Sequence, residues 1–308
     1  MTKPLIEVDV LCIGHASYDL VFSVEHHPAA DEKTFATSFI DCGGGPAANA
    51  AIMVANLGYR AAFAGYLGAD FYGDKHLQEL KDHGVETGLI TRGPAPTPIS
   101  AVLVKPDGKR ALINYKIGTQ PLPADALDFS CISPKVVLFD GHEPHVSGAY
   151  CRELRAQGIP TVLDAGSLHE GTQVLMRQVD YLIGSEKFAL QIADSVELAL
   201  DQLAEIAPNV VITLSERGLF WRRGAERGYM PAFKVADVDS TGAGDAFHGA
   251  FAAAISQRMD WVNSLRYAGA AGALCCTKMG ARPGLPTREE HSRLFKQPGF
   301  NSHSGVLK

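Results

Sequence analysis

No uncharged apolar stretch in this chain reaches the roughly 18 residues that a membrane-spanning helix needs. The N-terminus does not make a secretory signal either, because Glu7 and Asp9 interrupt it before any long apolar run. Cysteine is scarce, six in 308 residues, and Cys12, Cys131 and Cys275 sit inside apolar strings. That suits reduced core thiols better than a disulfide framework, and a cytoplasmic protein is expected. Basic excess is also missing: 28 Lys and Arg face 34 Asp and Glu, a net charge of −6. General affinity for nucleic-acid phosphates or anionic membranes is therefore not expected. Several chemical signatures are absent as well. There is no HExxH or CxxC pair to hold zinc, and no GxSxG for a serine hydrolase. No GxGxxG with a later ribose-binding acid follows the first strand. Residues 68–75 (GADFYGDK) come close to a Walker phosphate loop, but Asp74 stands where its lysine belongs.

What is present is the composition of a globule with a sizeable core: 46% apolar and 20% charged residues. Short apolar runs predict strands at 8–13, 61–65, 100–104, 111–115, 136–139, 161–163, 181–183, 210–214 and 219–222. Several are dense in Val, Ile and Leu on both faces, as in a parallel sheet covered by helices. Amphipathic stretches between them predict helices at 47–56, 73–83, 148–157, 195–206, 245–256, 262–275 and 287–295. This alternation predicts an α/β fold, a doubly wound and mostly parallel sheet flanked by helices. Two stretches, 21–41 and 99–115, read instead as antiparallel strands, the second pair turning at Pro106-Asp107-Gly108. They predict a small separate sheet. The expected organisation is one domain over 1–298 with this appendage, then a loose tail over 299–308.

Asp239-Ser240-Thr241-Gly242-Ala243-Gly244-Asp245 runs directly into an apolar helical segment. Small residues at a helix start leave backbone N–H groups open at the positive end of the helix dipole, where a phosphate can sit. Asp245 would then lie one turn in, placed to take a hydroxyl proton, or it would simply cap a tightly packed helix. A second cluster, Gly43-Gly44-Gly45-Pro46-Ala47-Ala48-Asn49, opens another helix; Asn49 offers a donor and an acceptor to a polyol, or the cluster is an ordinary turn. Asp19 follows the first strand, where open parallel sheets bind ligands, and would grip sugar hydroxyls or cap a turn.

Taken together, the two glycine motifs resemble those of the ribokinase-like (PfkB-type) carbohydrate kinases, in the right order over nearly the whole chain. The resemblance implies a ribokinase-like fold with a small β lid that often also serves dimer contact. It implies ATP, Mg²⁺ and a monovalent cation such as K⁺ as cofactors, and transfer of the γ-phosphoryl group to a hydroxymethyl group of a ketose-type sugar. Asp245 becomes the base, Gly242, Ala243 and Gly244 the anion hole, and Asp19, Gly44, Gly45 and Asn49 the sugar holders. Ser185, Thr213, Ser215, Gly218, Gly280 and Ala281 fall on the nucleotide side, with Ser215 replacing the usual glycine. Asp239 and Thr241 match positions near the monovalent cation. The family's usual Asn-x-x-Glu reads Ser185-Glu186-Lys187-Phe188 here, leaving Glu186 for the divalent metal. Finer features, among them Ile113-Asn114-Tyr115 and Cys276-Thr277-Lys278, are similar to the sulfofructose kinase branch. In that branch Lys33 and Asn114 would face an anionic end of the substrate, with His142 near the place of its arginine. A ribokinase or fructokinase acting on a neutral sugar is the alternative. A sugar-binding regulator without catalysis is the rival from another class.

Overall fold

The structure is a computed structural model in which residues 4–297 are described. The expected tail at 299–308 lies outside the described residues. The chain opens with β1 (Ile6–Ile13), β2 (Ser17–Ser23), β3 (Ser38–Gly44), α1 (Pro46–Asn56), β4 (Ala61–Gly68), α2 (Phe71–Asp82) and β5 (Glu86–Gly93). It continues through β6 (Ile99–Val104), β7 (Arg110–Tyr115), β8 (Ile132–Phe139), α3 (Pro144–Ala156), β9 (Thr161–Ala165), α4 (Glu170–Leu175), β10 (Tyr181–Ser185) and α5 (Glu186–Ile192). The last third holds α6 (Val196–Ala204), β11 (Asn209–Thr213), β12 (Leu219–Arg223), β13 (Glu226–Met230), α7 (Ala243–Ser256), α8 (Trp261–Cys275), α9 (Ala281–Gly284) and α10 (Arg288–Phe295).

Nine strands form one sheet in the order β13-β12-β11-β10-β9-β8-β1-β4-β5. Every neighbour pair from β11 across to β5 is parallel, and only β12 and β13 run antiparallel at one edge. The expected doubly wound α/β fold is what the chain adopts. Its central strands are apolar on both faces because helices cover both: Val10, Cys12, Val136 and Leu138 face one core, and Leu11, Ile13, Val137 and Phe139 the other. Helix starts are fixed by side-chain caps at Asp70, Ser195, Asp260 and Thr287, the last within a capping box with Glu290.

The order of the strands reverses about β1 and β8, and ligands in such sheets bind beyond the strand ends at that switch. Two helices aim at this crevice. α1 and α7 pack through alanines, with Ala47, Ala50, Ala51, Ala246, Ala250 and Ala253 buried. A Cβ on Gly249 would stand 2.6 Å from the Ala50 carbonyl oxygen, so the two backbones touch.

The second sheet has the order β3-β2-β6-β7. It is antiparallel at β2/β3 and β6/β7 but parallel at β2/β6, so the expected pair of hairpins is joined side by side. The antiparallel strands expected within 21–41 are the end of β2 and the start of β3, with residues 24–37 between them outside any strand. Asp19, expected in a loop, stands within β2. Val21, Val102 and Val104 bury the sheet's inner face against Ile40 and Met279, next to α9. Phe39, Leu112, Ile113 and Tyr115 are left exposed.

Candidate functional site

α7 is capped at its N-terminus by Gly242, whose φ of +80° is the left-handed conformation that glycine adopts without strain. A Cβ there would also sit 2.7 Å from that of Ala281, so glycine is required twice over. Ala243 N–H bonds Ser240 O at 3.3 Å and Ala246 N–H bonds Gly242 O at 2.8 Å. Among the described residues the N–H groups of Gly244 and Asp245 have no hydrogen-bond partner. A Cβ on Gly244 would meet nothing within 4 Å. The helix therefore presents two open donors, at its positive end, to empty space.

Asp245 lies in the first turn, and its Oδ2 accepts from Asn49 Nδ2 at 2.6 Å, joining residues 196 positions apart. The two glycine motifs thus meet at one hydrogen bond. Asp19 completes the group: its carboxylate lies over the Gly44 backbone, where a Cβ would come within 2.2 Å of it, and Ser17 Oγ donates to its Oδ1 at 3.0 Å. Burial raises the pKa of Asp245, a shift opposed by the Asn49 hydrogen bond and by Arg110. Burial raises Asp19 too, against hydrogen bonds from Ser17 and Ser100 and the charge of Arg282.

The cleft in front of Asp245 has a volume of about 200 Å³ and is walled by Asp140, Asp164, Ser185, Thr213, Gly242 and Gly244, among others. A second, open cleft of about 640 Å³ is lined by Glu186, Lys187, Gln191 and Ser215 and shares Ser185 and Thr213 with the first. The two clefts therefore adjoin at Ser185 and Thr213, the roomier one on the outside. Ser215 has a φ of +54°, a conformation that favours glycine, which accounts for the glycine usual at its position. Gly218 and Gly280 have φ values of +89° and +83°, and Ala281 begins α9 against Gly242.

Other expected residues stand elsewhere or serve other partners. Lys33 is exposed in the β2–β3 connection, its Nζ 5.8 Å from the Phe35 ring centroid, and Asn114 is exposed on β7. Neither lines the cleft. His142 does line it, stacked on His169 with centroids 4.9 Å apart and tilted against His15 at 5.1 Å. Glu186 pairs with Arg217. Asp239 Oδ1 accepts from Thr241 N–H and O–H, and its Oδ2 accepts from Gly280 N–H. Among the described residues no group of three or more His, Cys, Asp or Glu could hold a metal ion.

The motifs did not single out several residues that the fold brings in. Arg110 on β7 donates to Ser240 Oγ and Thr241 Oγ1 at 3.2 Å each, closing the small sheet onto the loop before α7. Asp140 Oδ2 accepts from His15 N–H and Ala47 N–H, tying two strand ends to α1. His248 Nδ1 bonds Gly244 O at 2.6 Å and lies 3.2 Å from buried Asp164. Asp140 and Asp164 had a usable signal, an acid closing an apolar run at a strand's C-terminal end (VVLFD, TVLDA). Arg110 had none.

An open helix N-terminus beside a carboxylate, at the switch point of such a sheet, defines a site for moving an anionic group onto a hydroxyl. Residues 8–288 match the model of the pfkB family carbohydrate kinases. The chain is 30% identical to the ribokinase of Bacillus subtilis (strain 168), covering 93% of this chain and 99% of that protein. It is 31% identical to fructokinase-1 of Zea mays, with coverages of 94% and 98%. The solved ribokinase of Thermotoga maritima superimposes with a TM-score of 0.83 at 25% identity, covering 94% of this chain and 100% of that one. The protein belongs to the pfkB family of carbohydrate kinases.

Proposed function

We propose that the protein transfers the γ-phosphoryl group of ATP to the hydroxymethyl group of a small neutral sugar, with fructose and ribose the first candidates. The observation that carries this is the contact of Asp245 with Asn49 at 2.6 Å, next to the open N–H groups of Gly244 and Asp245. Asp19 and Asn49 hold the sugar through its hydroxyls, leaving one hydroxyl at Asp245. As that oxygen bonds to phosphorus, the bond from the γ-phosphorus to the ADP oxygen breaks, and the proton passes to Asp245. Charge on the transferring group falls on the helix N-terminus, with Arg110 next to it. Phosphoryl transfer asks mainly for positioning and charge neutralisation, and these groups provide both.

The outer cleft, with Ser185, Thr213 and Ser215, and with Gly218 three residues on, suits the nucleotide. Asp239, Thr241 and Glu186 are engaged by the chain itself, so the described residues do not by themselves enclose Mg²⁺ or K⁺. Mg²⁺ fits better as an ion carried in on the ATP phosphates, which it neutralises when bound. The relatives named above are ribokinases and a fructokinase, so the sulfofructose-like substrate draws no support from them, and exposed Lys33 and Asn114 add none. The small sheet acts as a lid, and its exposed Phe39, Leu112, Ile113 and Tyr115 suit pairing with a second copy. Six free thiols, four of them buried, suit a reducing cytoplasm.

ADP release with ATP and a sugar panel tests the activity. Asp245→Asn keeps the side-chain shape, so folding and ADP affinity should hold while kcat falls about 10²–10⁴-fold. A sugar panel without ADP release would leave the sugar-binding regulator, and an unchanged kcat would return Asp245 to helix capping.

A further inference from the structure

Behind the sugar-holding amide lies a charged side chain that the proposed chemistry has not used. Arg282, on α9, is 5% exposed, and its guanidinium is spread over three elements. Nε donates to Asn49 Oδ1 at 3.1 Å, and Nη2 donates to His76 Nε2 at 3.2 Å. Nη1 makes no hydrogen bond and lies 3.6 Å from Glu79 Oε1, an acid whose other oxygen accepts from Gly43 N–H at 2.7 Å. Guanidinium can only donate and an ionised carboxylate can only accept. Asn49, lying between Arg282 and Asp245, can therefore point its oxygen only at the first and its NH₂ only at the second. Arg282 also forces His76 to leave Nε2 unprotonated. Both partners are buried, Asn49 at 2% exposure and His76 at 0%, so water cannot substitute for a lost bond.

We propose that Arg282 is a positioning residue for phosphoryl transfer, locking the Asn49 amide so that its N–H side meets Asp245 and the sugar hydroxyl. This rests on Asp245 being the base. Without the guanidinium the buried amide oxygen has no donor and only the Asp245 carboxylate still orients the amide, so the amide tilts out of its place. Its N–H then bonds Asp245 less well, and Asp245 holds a proton more tightly. The groups that face Asp245 are Asp19 on β2, Arg110 on β7, Asp140 after β8, Asp164 on β9, Cys275 on α8 and Arg282 itself. Three of these are further carboxyl groups, so loss of one of the two arginines moves the base upward.

The test compares the full-length wild type with Arg282→Met, Arg282→Lys, Asn49→Ala and the Arg282→Met/Asn49→Ala double variant, using ATP with D-fructose and D-ribose. Melting temperature and ADP affinity by calorimetry report whether each variant is folded. Arg282→Met should lower kcat about 10- to 100-fold, leave KM for ATP within twofold, and move the acid limb of kcat/KM to higher pH. Arg282→Lys keeps the charge but not the directed Nε bond, so it should lose several-fold in kcat with a smaller shift of the limb; it carries the test if the methionine variant does not fold. The double variant should fall well short of the product of the single losses. A folded Arg282 variant with wild-type kcat and an unmoved acid limb would overturn the proposal, as would strictly additive losses. An inactive wild type, or a fully active Asp245→Asn, removes instead the kinase chemistry on which the proposal stands.

Discussion

Replacing Arg110 by methionine removes the positive charge that the small sheet brings to the loop before α7. The guanidinium stands 3.2 Å from both Ser240 Oγ and Thr241 Oγ1, at the mouth of the anion hole. On the proposed function the transferring phosphoryl group would pass beside it, and the guanidinium would donate to one of its oxygens. A hydrogen bond to a charged group contributes about 1.5–3 kcal/mol, and about 1.36 kcal/mol is a factor of ten in rate. The expected loss in kcat is thus roughly 10- to 150-fold. A bare Coulomb figure, about 4 kcal/mol at 4 Å with an effective dielectric of 20, would give about a thousandfold. That is an upper limit, because Arg110 is exposed and water and salt screen it. Sugar KM should stay within about threefold, since the guanidinium bonds the loop before α7 rather than Asp19 or Asn49. Arg110→Lys should recover part of the rate, because it keeps the charge but not the planar guanidinium. Coupled ADP-release assays at low and high ionic strength read this directly, and the wild-type advantage should shrink as salt rises. A kcat within twofold of wild type would refute the argument. A loss carried wholly by sugar KM would make Arg110 a sugar ligand.

Burial lifts the pKa of Glu143 from 4.5 to about 7, against the hydrogen bond from Leu122 N–H and with Asp140 adding to the rise. The folded protein keeps a proton that the unfolded chain gives up, so stability should fall as pH climbs from about 4.5 to 7, by at most about 3 kcal/mol; Glu143→Gln should flatten that slope in urea melts, and an identical slope would refute the assignment. Gly242→Ala should cost about 1–3 kcal/mol in chemical denaturation, from the positive φ and the contact with Ala281; a neutral result would mean that the loop yields. Lys33→Met should leave KM for a neutral sugar within about twofold, because the side chain is solvated. A 10- to 150-fold rise in KM confined to a sulfonated or phosphorylated sugar would instead restore the anionic substrate.

Much of the sheet was legible because its central strands are continuous Val-, Ile- and Leu-rich runs, and burial on both faces leaves no other pattern. β5 and β13 were not. ETGLITRG and ERGYM sit at the two edges of the sheet, half exposed and interrupted by glycine and charge, so their strand character comes from the neighbour they pair with. α5 follows β10 without a break, Ser185 ending one and capping the other, which hid a seven-residue helix. In the site, the glycine motifs were readable because an open helix start is a local property. Arg110 and Arg282 were not, since what they do depends on residues 130 and 233 positions away. Lys33 and Asn114 stand exposed outside the cleft, and resemblance in sequence carries no account of which way an exposed side chain points.

The alanine contact between α1 and α7 bears on how this molecule could be altered. Two backbones that touch at Gly249 and Ala50 cannot slide past each other, so the Asn49 amide and the Asp245 carboxylate form one rigid unit. On the proposed function, choice of sugar would then fall to the small sheet, which meets the rest of the chain through side chains such as Arg110 and Met279. An engineer seeking a new acceptor could exchange β6, β7 and the β2–β3 connection while leaving the helix pair alone. The converse graft has no such freedom: any bulk added between the two helices would pull Asn49 and Asp245 apart.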